Sequence, residues 1–343
     1  MCLIKITYFG GFQQPANLKN MLFKPPFQQI ARLALPGCLL LASLSLRGQE
    51  LRQSFLLYQL DALPLNPAYA GAAGAPAFET FYFGNFSGST TVSRSGLVSI
   101  HGPGRHPHVS WGGVLQFYKA NLLGEMSASP AFSWQVPLAT GTLSFGGTLG
   151  LNYFDFDDDG FGSAPFNFGS IDGGLGVYFQ SRRAFAGVSA LKIFEHALFV
   201  KDDNSATFIP REKPINLHGG FVFRLYKDVL LKPAAMLRYA RLYELPSSQN
   251  ANSHYWSYDV EATFVVDGTY MVGLLAGQSD SPDNATLGRF GGSVILLLGN
   301  FHLGYAIQHN SNKNTSVELP ISHLLQAGYV FSSDENEAPL RLF

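Results

Sequence analysis

An acidic run in the middle of the chain has the spacing of a metal-binding loop. Asp155, Asp157 and Asp159 alternate with other residues and are followed by Gly160. Carboxylate oxygens on alternate positions before a glycine form the opening of a calcium loop, because a hard cation prefers oxygen ligands. The glutamate that closes such a loop is missing, since Phe166 stands in its place. The sequence therefore favours a hydrated acidic loop, with weak calcium binding as the alternative.

Three histidines cluster near the first quarter of the chain, at His101, His106 and His108. Zinc requires three or four ligands that converge on a tetrahedron, and a turn rich in glycine and proline does not arrange them in advance. No metal site is therefore assigned here. We interpret the segment that begins His101-Gly102-Pro103 as a turn that either docks a partner or is a tolerated insertion.

Charged residues recur on the polar faces of strand-like segments in the second half of the chain. If these segments pair as antiparallel neighbours, Lys232 and Arg238 approach Glu261 and Asp259, and Arg224 lies on the same face. Such cross-strand ion pairs stabilise a sheet. The set is either the filling of a protein interior, which we favour, or a lattice that controls selectivity or gating.

Enzyme and nucleic-acid signatures are absent from the sequence. It contains no Gly-x-Ser-x-Gly elbow, P-loop, dinucleotide fingerprint or His-Glu-x-x-His. The formal net charge of -1 gives no electrostatic case for binding nucleic acid. We therefore expect a protein that is not an enzyme and that needs no cofactor.

The residues above must be positioned by strands, because the chain alternates between apolar and polar residues with a period of two. Leu143, Phe145 and Leu151 fall on one face of a segment, and Ser144 and Asn152 fall on the other. Segments of about ten residues with this alternation are typical of a transmembrane β-barrel, apolar towards lipid and polar towards the lumen. Only 14% of residues are charged, and Gly, Phe and Tyr are abundant at 36, 29 and 15.

The pattern predicts an all-β, antiparallel, up-and-down barrel of about 14 strands. The expected strands lie near residues 77–86, 90–100, 108–119, 126–136, 141–154, 172–180, 184–193, 215–226, 229–240, 254–266, 269–278, 287–298, 300–309 and 321–331.

The connections between these strands alternate in length. After the first hairpin, short connections such as 226–229 and 266–269 alternate with long ones such as 193–215 and 240–254. Bacterial outer-membrane barrels have short periplasmic turns and longer outer loops. A soluble sandwich has no reason to sort its loops in this way, so the alternation favours the outer membrane of a Gram-negative bacterium.

The segments outside the barrel are a leader, a periplasmic N-terminal segment and a tail. Residues 1–49 are expected to be a leader with a cleaved signal peptide, for which Met21 is the better-proportioned start. Cys2 and Cys38, the only cysteines, both lie in it. Residues 50–76 are expected to form a periplasmic N-terminal segment that enters or plugs the base of the barrel. The barrel would span 77–331, and 332–343 would be a C-terminal tail.

Several motifs resemble those of the PorP/SprF outer-membrane proteins, which belong to the type IX secretion and gliding machinery of Bacteroidetes. The specific one is the N-terminal signature, with Asn66, Pro67, Ala68, Tyr69 and Gly71. The less specific ones, which follow in order between residues 54 and 331, are His101-Gly102-Pro103, Leu143-Ser144-Phe145-Gly146 with Gly150-Leu151, Leu231-Lys232-Pro233, and Ser322-His323-Leu324 with Gly328-Tyr329-Val330-Phe331.

The chain also departs from this family. Phe81-Tyr82-Phe83-Gly84-Asn85 replaces the arginine and tryptophan expected after the signature, and the strand near 269–278 lacks an expected arginine. The resemblance implies a barrel held by outer-membrane lipid that contacts periplasmic ring components of the secretion system. It also implies a role in exporting, or holding at the surface, adhesin-like proteins with C-terminal sorting domains.

A second family offers an alternative function. Transporters of the FadL type resemble this chain in the Asn-Pro-Ala start and in being fourteen-stranded barrels. They carry hydrophobic small molecules across the outer membrane, and such a function requires an apolar internal pocket near the N-terminal segment.

Overall fold

A computed structural model describes residues 60–87, 90–120, 123–156, 166–194, 198–202, 205–209, 211–243, 254–280, 286–312 and 321–331. The expected leader and tail lie outside these residues, as do Asp157 and Asp159 of the acidic run.

The described part of the chain forms one 3₁₀ turn, Pro67–Tyr69, and seventeen β-strands. The strands are β1 Ala77–Ser87, β2 Thr90–Pro103, β3 Val109–Ala120, β4 Leu123–Leu138, β5 Gly141–Phe156, β6 Phe166–Gln180, β7 Ala184–Ala190, β8 Leu198–Asp202, β9 Ser205–Ile209, β10 Arg211–Phe221, β11 Phe223–Tyr226, β12 Val229–Tyr243, β13 His254–Val266, β14 Tyr270–Asp280, β15 Thr286–Leu298, β16 Phe301–Asn312 and β17 Ile321–Val330.

The strands close into an antiparallel barrel. Each wall strand pairs with the next along the chain, and β1 pairs with β17 from Ala77 opposite Val330 to Phe86 opposite Ile321. Strands β10 and β11 are two halves of one wall strand that is interrupted at Val222, and both pair with β12. Strands β8 and β9 form a separate hairpin. The wall therefore has fourteen strands, and the predicted closed fourteen-stranded barrel is confirmed.

The outer wall is apolar, as the alternation predicted. In β5, Phe145, Leu149, Leu151 and Tyr153 are exposed on the outside, whereas Ser144 and Asn152 are buried inside. The same division holds in β13, where Trp256, Tyr258 and Val260 face outwards while Ser257, Asp259 and Glu261 are buried. A wall of exposed aromatic and aliphatic side chains is suited to lipid.

The inside of the barrel is more apolar than the mostly polar lumen that the sequence suggested. One apolar cluster includes Phe81, Leu97, Met271, Ile295 and Leu324, all buried inside the wall. These side chains come from neighbouring strands along one arc of the wall, and at their inward positions they pack on one another rather than on lipid. A second apolar cluster surrounds the N-terminal segment. Apolar side chains therefore fill part of the interior.

One rim of the barrel carries the short turns. The turn between β13 and β14 has positive φ at Asp267 (52°) and Gly268 (62°), the combination that a tight type I′ hairpin requires. The connections at the opposite rim include the longer segments that lie partly outside the described residues. In that described part of the chain, no helix has the length and apolar character needed to cross a membrane.

Candidate functional site

Residues 60–76, which we name the hatch, lie inside the barrel near the rim of short turns. Leu65, Asn66, Ala68 and Ala70 are at most 1% exposed. Because the hatch is buried by the barrel wall rather than by a domain of its own, its position depends on contacts with the inner faces of the strands.

The signature residues fold the hatch into a compact turn. The Asn66 side-chain oxygen accepts a hydrogen bond from the Ala68 N–H, 3.0 Å away, and so caps the 3₁₀ turn. Pro67 occupies the first position of the turn, where a missing N–H costs nothing. Gly71 has φ of 78°, a conformation that a residue with a side chain rarely adopts. The motif thus specifies a tight reversal before β1.

Polar contacts fasten this turn to the wall. The Asn66 amide donates to the Val177 carbonyl at 3.0 Å and to the Val188 carbonyl at 3.4 Å. The Ser133 hydroxyl donates to the Ala70 carbonyl at 2.7 Å, and the Ser189 hydroxyl donates to the Leu65 carbonyl. Two buried carbonyls of the hatch are therefore satisfied by strands β4 and β7, and the Asn66 side-chain amide is satisfied by β6 and β7, as buried polar groups must be.

Glycines in the wall make room for the hatch. A Cβ atom on Gly146 would lie 2.4 Å from the Ala68 Cα, and one on Gly176 would lie 2.0 Å from the Asn66 Oδ1. Both distances are far below van der Waals contact, so only glycine permits this approach. Gly146 belongs to the Leu143-Ser144-Phe145-Gly146 motif, so this motif meets the signature segment directly inside the barrel.

Tyr69 anchors the hatch by its ring and its hydroxyl. The ring packs edge-on against His101 and Tyr178, with centroids 5.2 and 5.3 Å apart. The hydroxyl donates to the Leu60 carbonyl at 3.2 Å. Burial, together with the neighbouring Tyr178 and the Asp61 carboxylate, raises the pKa of the Tyr69 phenol well above its usual value. The phenol therefore keeps its proton and remains a donor.

In the turn at His101-Gly102-Pro103, the first two residues contact the hatch and the third lies at the surface. His101 is buried, and its Nδ1 accepts a hydrogen bond from the Gly71 N–H at 3.2 Å. Gly102 packs against the Pro76 backbone, whereas Pro103 is exposed. Partner docking by this turn stays a proposal, and it now concerns the exposed residues that follow His101 and Gly102.

Four of the five residues predicted to form a lumen lattice point inwards. Lys232 lies opposite Thr263 and Arg238 lies opposite Ser257, one step along the inner face from Glu261 and Asp259 respectively. Lys232 is 1% exposed and lies 5.8 Å from the centre of the Phe185 ring. Arg224 lies apart, because it is exposed in β11 beyond the break at Val222.

The sequence interpretation missed Arg289, the close partner of Asp259. Its Nη2 lies 2.8 Å from the Asp259 Oδ1 and donates to the Ser257 hydroxyl at 2.8 Å. Arg289 occupies an inward position of β15, two residues before Gly291 and four before Ser293. Arg289 therefore shares one face of the strand with small residues, and this alternation was the sequence signal that could have placed it in the lumen.

A second polar contact links the strands at which the barrel closes. The His302 Nε2 lies 3.0 Å from the Glu79 Oε2, and the Gln326 amide donates to the same oxygen at 3.1 Å. These residues come from β16, β1 and β17. The first and last wall strands are therefore joined by side chains as well as by their backbone ladder.

A cavity of about 170 Å³ lies on the side of the hatch that faces the long connections, and we name it the vestibule. Leu63, Pro64 and Pro67 of the hatch contribute to its apolar lining. Most of the other lining residues are polar, among them Gln116, Ser127, Asn152, Asp172, Arg238 and Ser257.

The candidate metal ligands do not converge in the described residues. Asp155 is exposed at the end of β5, and Asp157 and Asp159 lie outside the described part of the chain. His101 is buried at the hatch while His106 and His108 are exposed. Among the described residues, no group of three or more His, Cys, Asp or Glu side chains is placed to hold a metal.

The fold is similar to those of solved outer-membrane channels. The CymD monoaromatic hydrocarbon channel has 9% identity, covers 79% of this chain and 93% of its own, and gives a TM-score of 0.54. An outer membrane channel from Pseudomonas putida F1 has 12% identity, with 75% and 96% covered and a TM-score of 0.43. A Pseudomonas aeruginosa FadL homologue has 10% identity, with 78% and 93% covered and a TM-score of 0.44. At these identities, the likeness to CymD supports the barrel fold alone.

Sequence comparison identifies the family. No curated protein sequence matches the chain. The family model for the type IX secretion system membrane protein PorP/SprF matches residues 48–334, which include the hatch and the whole barrel wall. The protein is therefore an outer-membrane β-barrel that belongs to the PorP/SprF family of the type IX secretion system.

Proposed function

We propose that this barrel helps to export adhesin-like proteins, or to hold them at the cell surface, through protein–protein contacts and without a chemical step. Membership of the type IX secretion family supports a role with the machinery and its cargo. The finer role rests on how the lumen is occupied.

The observation that carries the proposal is the hatch. Its backbone is bonded to inward side chains of the wall, as at Ser133 and Ala70, and its apolar residues fill the space next to Tyr178 and Phe185. A lumen filled in this way by its own chain is poorly suited to the passage of a large polypeptide. We therefore assign the protein to contact and anchoring rather than to conduction.

The two rims suggest different partners. The vestibule presents carboxylate, guanidinium, amide and hydroxyl groups from Asp172, Arg238, Asn152 and Ser127. These groups match the hydrogen-bonding needs of a polypeptide segment, so we assign the vestibule and the long outer connections to the secreted protein with its C-terminal sorting domain. We assign the short-turn rim, including the exposed Arg105 and His106, to periplasmic ring components.

Transport of a hydrophobic small molecule, as by FadL-type proteins, is the alternative. It requires an apolar pocket beside the N-terminal segment. The apolar side chains beside the hatch, such as Phe185 and Met236, pack in one cluster with Leu65 and Tyr69 of the hatch itself. The remaining vestibule is lined mainly by polar residues. The packing therefore favours protein contact.

Affinity purification of the tagged barrel from native outer membranes separates the two functions. We expect periplasmic ring components and a secreted protein with a C-terminal sorting domain to co-purify. Replacing Arg105 and His106 by alanine should reduce recovery of the ring, whereas Asp267→Asn in another turn of the same rim serves as the matched control. Retention of long-chain fatty acid with neither protein partner would favour the transporter.

A further inference from the structure

Four exposed cations lie along one arc of the short-turn rim. They come from the turn between β6 and β7 and from β11 with the turn that follows it, and they are Arg182, Arg183, Arg224 and Lys227. Strand β7 pairs with β10, of which β11 is the continuation, so the two turns are neighbours on the rim. The carboxylates in these two turns and in the next one are Asp228 and Asp267. Four cations against two carboxylates leave an excess of two positive charges on this arc.

The two carboxylates lie together at one end of the arc. The Asp267 N–H donates to the Asp228 carbonyl at 2.9 Å, which places both residues on the side of β12 and β13. The arginine pair lies at the other end, between β6 and β7. Among the described residues, none of the four cations forms an ion pair. The excess positive charge is therefore concentrated at the end that carries Arg182 and Arg183.

Hydrogen bonds hold the arginine turn against β10 and β11. The Ser181 N–H donates to the Ala184 carbonyl at 2.8 Å, and the Ser181 hydroxyl accepts from the Ala184 N–H at 3.0 Å. The Val222 N–H, at the break between β10 and β11, donates to the Arg183 carbonyl at 2.8 Å. Arg224 follows Val222 by two residues, so its backbone is held next to this turn. The break thus groups a third cation with the arginine pair.

The apolar outer wall ends directly at these cations. Phe221 lies opposite Ala184, the residue after Arg183, and Phe223 precedes Arg224. Both phenyl rings are exposed on the outside of the wall, with centroids 6.3 Å apart. The two turns are only two or three residues long, so they cannot extend far beyond the lipid head-group layer, which is roughly 5–8 Å deep. The cations therefore lie at the height of the head groups.

We propose that this arc binds an anionic phospholipid in the inner leaflet of the outer membrane. The lipid phosphate contacts Arg182 and Arg183, and the acyl chains lie along Phe221 and Phe223. Guanidinium groups suit a phosphate because they offer paired donors in a planar fork, and clustered cations at a membrane surface attract anionic lipids. A lipid is the occupant because exposed aromatic rings adjoin the cations on the membrane side of the wall. The site does not depend on which protein the barrel carries.

Native mass spectrometry of the full barrel with anionic phosphatidylglycerol and zwitterionic phosphatidylethanolamine tests this site. We expect the parent to retain phosphatidylglycerol in preference, and Arg182→Gln/Arg183→Gln to retain about tenfold less of it, because each cation near an anionic surface strengthens binding severalfold. Arg182→Lys/Arg183→Lys, which keeps the charges, should retain most of the binding. The matched control, Arg94→Gln/Lys119→Gln, removes two charges at the opposite ends of β2 and β3 and should retain phosphatidylglycerol like the parent.

Each other outcome overturns the proposal. Equal retention of phosphatidylglycerol by Arg182→Gln/Arg183→Gln and the parent would show that the arc is not the site, and equal losses in both glutamine variants would show that net charge alone matters. Equal retention of the two lipids by the parent would remove the anionic head group from the recognition. Loss of the periplasmic ring with unchanged lipid retention would make the arc a protein-docking surface instead. Heat-dependent mobility in gels confirms that each variant is folded, and Arg224→Gln, with a smaller loss expected, replaces the double variant if that does not fold.

Discussion

The side-chain amide of Asn66 donates a hydrogen bond to the Val177 carbonyl, 3.0 Å away, and so joins the hatch to a strand 111 positions later in the chain. The oxygen of the same side chain caps the 3₁₀ turn by accepting from Ala68. One residue therefore both shapes the hatch and holds it inside the barrel.

Replacing Asn66 by aspartate should release the hatch. The aspartate keeps the cap but places a carboxylate oxygen against the Val177 and Val188 carbonyls, where a donor is needed. We expect the free energy that holds the hatch closed to fall by about 1–3 kcal/mol. Amide hydrogen exchange of residues 60–76 measures this, with the exposed Asn167→Asp as control. Unchanged protection of the hatch would contradict the assignment.

Gly146→Ala should displace the hatch by steric contact. The new methyl group would lie 2.3 Å from the backbone nitrogen of Ala68, which cannot rotate away as a side chain does. We expect larger single-channel conductance in planar bilayers, because the base of the lumen opens. Gly147→Ala is the matched control, since its nearest neighbour is the Leu175 side chain at an ordinary 3.6 Å. Equal conductance in the two variants would mean that the hatch does not limit access.

The lipid-facing half of the fold was predictable from local sequence. Residues such as Leu151 and Tyr153 alternate with Asn152 because strand geometry dictates it, so the barrel and its strand number followed. Apolar inward residues such as Leu97 and Leu324 were not predictable, because their packing partners come from distant strands.

The site itself was predictable only in outline. The Asn-Pro-Ala-Tyr signature indicated a segment that enters or plugs the base of the barrel. The local sequence does not show that Asn66 meets Gly176 or that His101 turns inwards to Gly71. A glycine in a strand signals close approach without naming the approaching segment. The contacts of the site therefore depend on how strands far apart in the sequence align with the hatch, which local sequence does not show.

The contact between Glu79 and His302 should stabilise the closed barrel. In the His302→Leu variant, the Glu79 carboxylate stays buried but loses its contact with the imidazole and keeps only the one with the Gln326 amide, of these two. We expect the free energy of unfolding to fall by about 3 kcal/mol. Glu79→Gln combined with His302→Leu should recover part of this loss, because the buried charge is gone. Urea unfolding in lipid vesicles provides the measurement. A double variant no more stable than His302→Leu alone would argue against a buried charged pair.

Arg289 should matter for stability rather than for partner binding. Its guanidinium joins Asp259 and Ser257 across β13 and β15, so Arg289→Met should lower the free energy of unfolding by about 3 kcal/mol. Asp259→Leu with Arg289→Met should restore much of it. We expect the single and the double variant, once folded, to co-purify with the same partners as the parent. A folded variant that loses only its partners would favour the gating interpretation of these charges.

Photo-crosslinking from inside the vestibule tests the proposed function most directly. A photoreactive residue at Gln116 faces the vestibule, whereas one at the neighbouring Leu115, 60% exposed on the outer wall, faces lipid. In native cells, we expect Gln116 to crosslink a secreted protein with a C-terminal sorting domain, and Leu115 not to do so. Crosslinks from Gln116 to no protein, or equal crosslinks from both positions, would contradict contact with cargo in the vestibule.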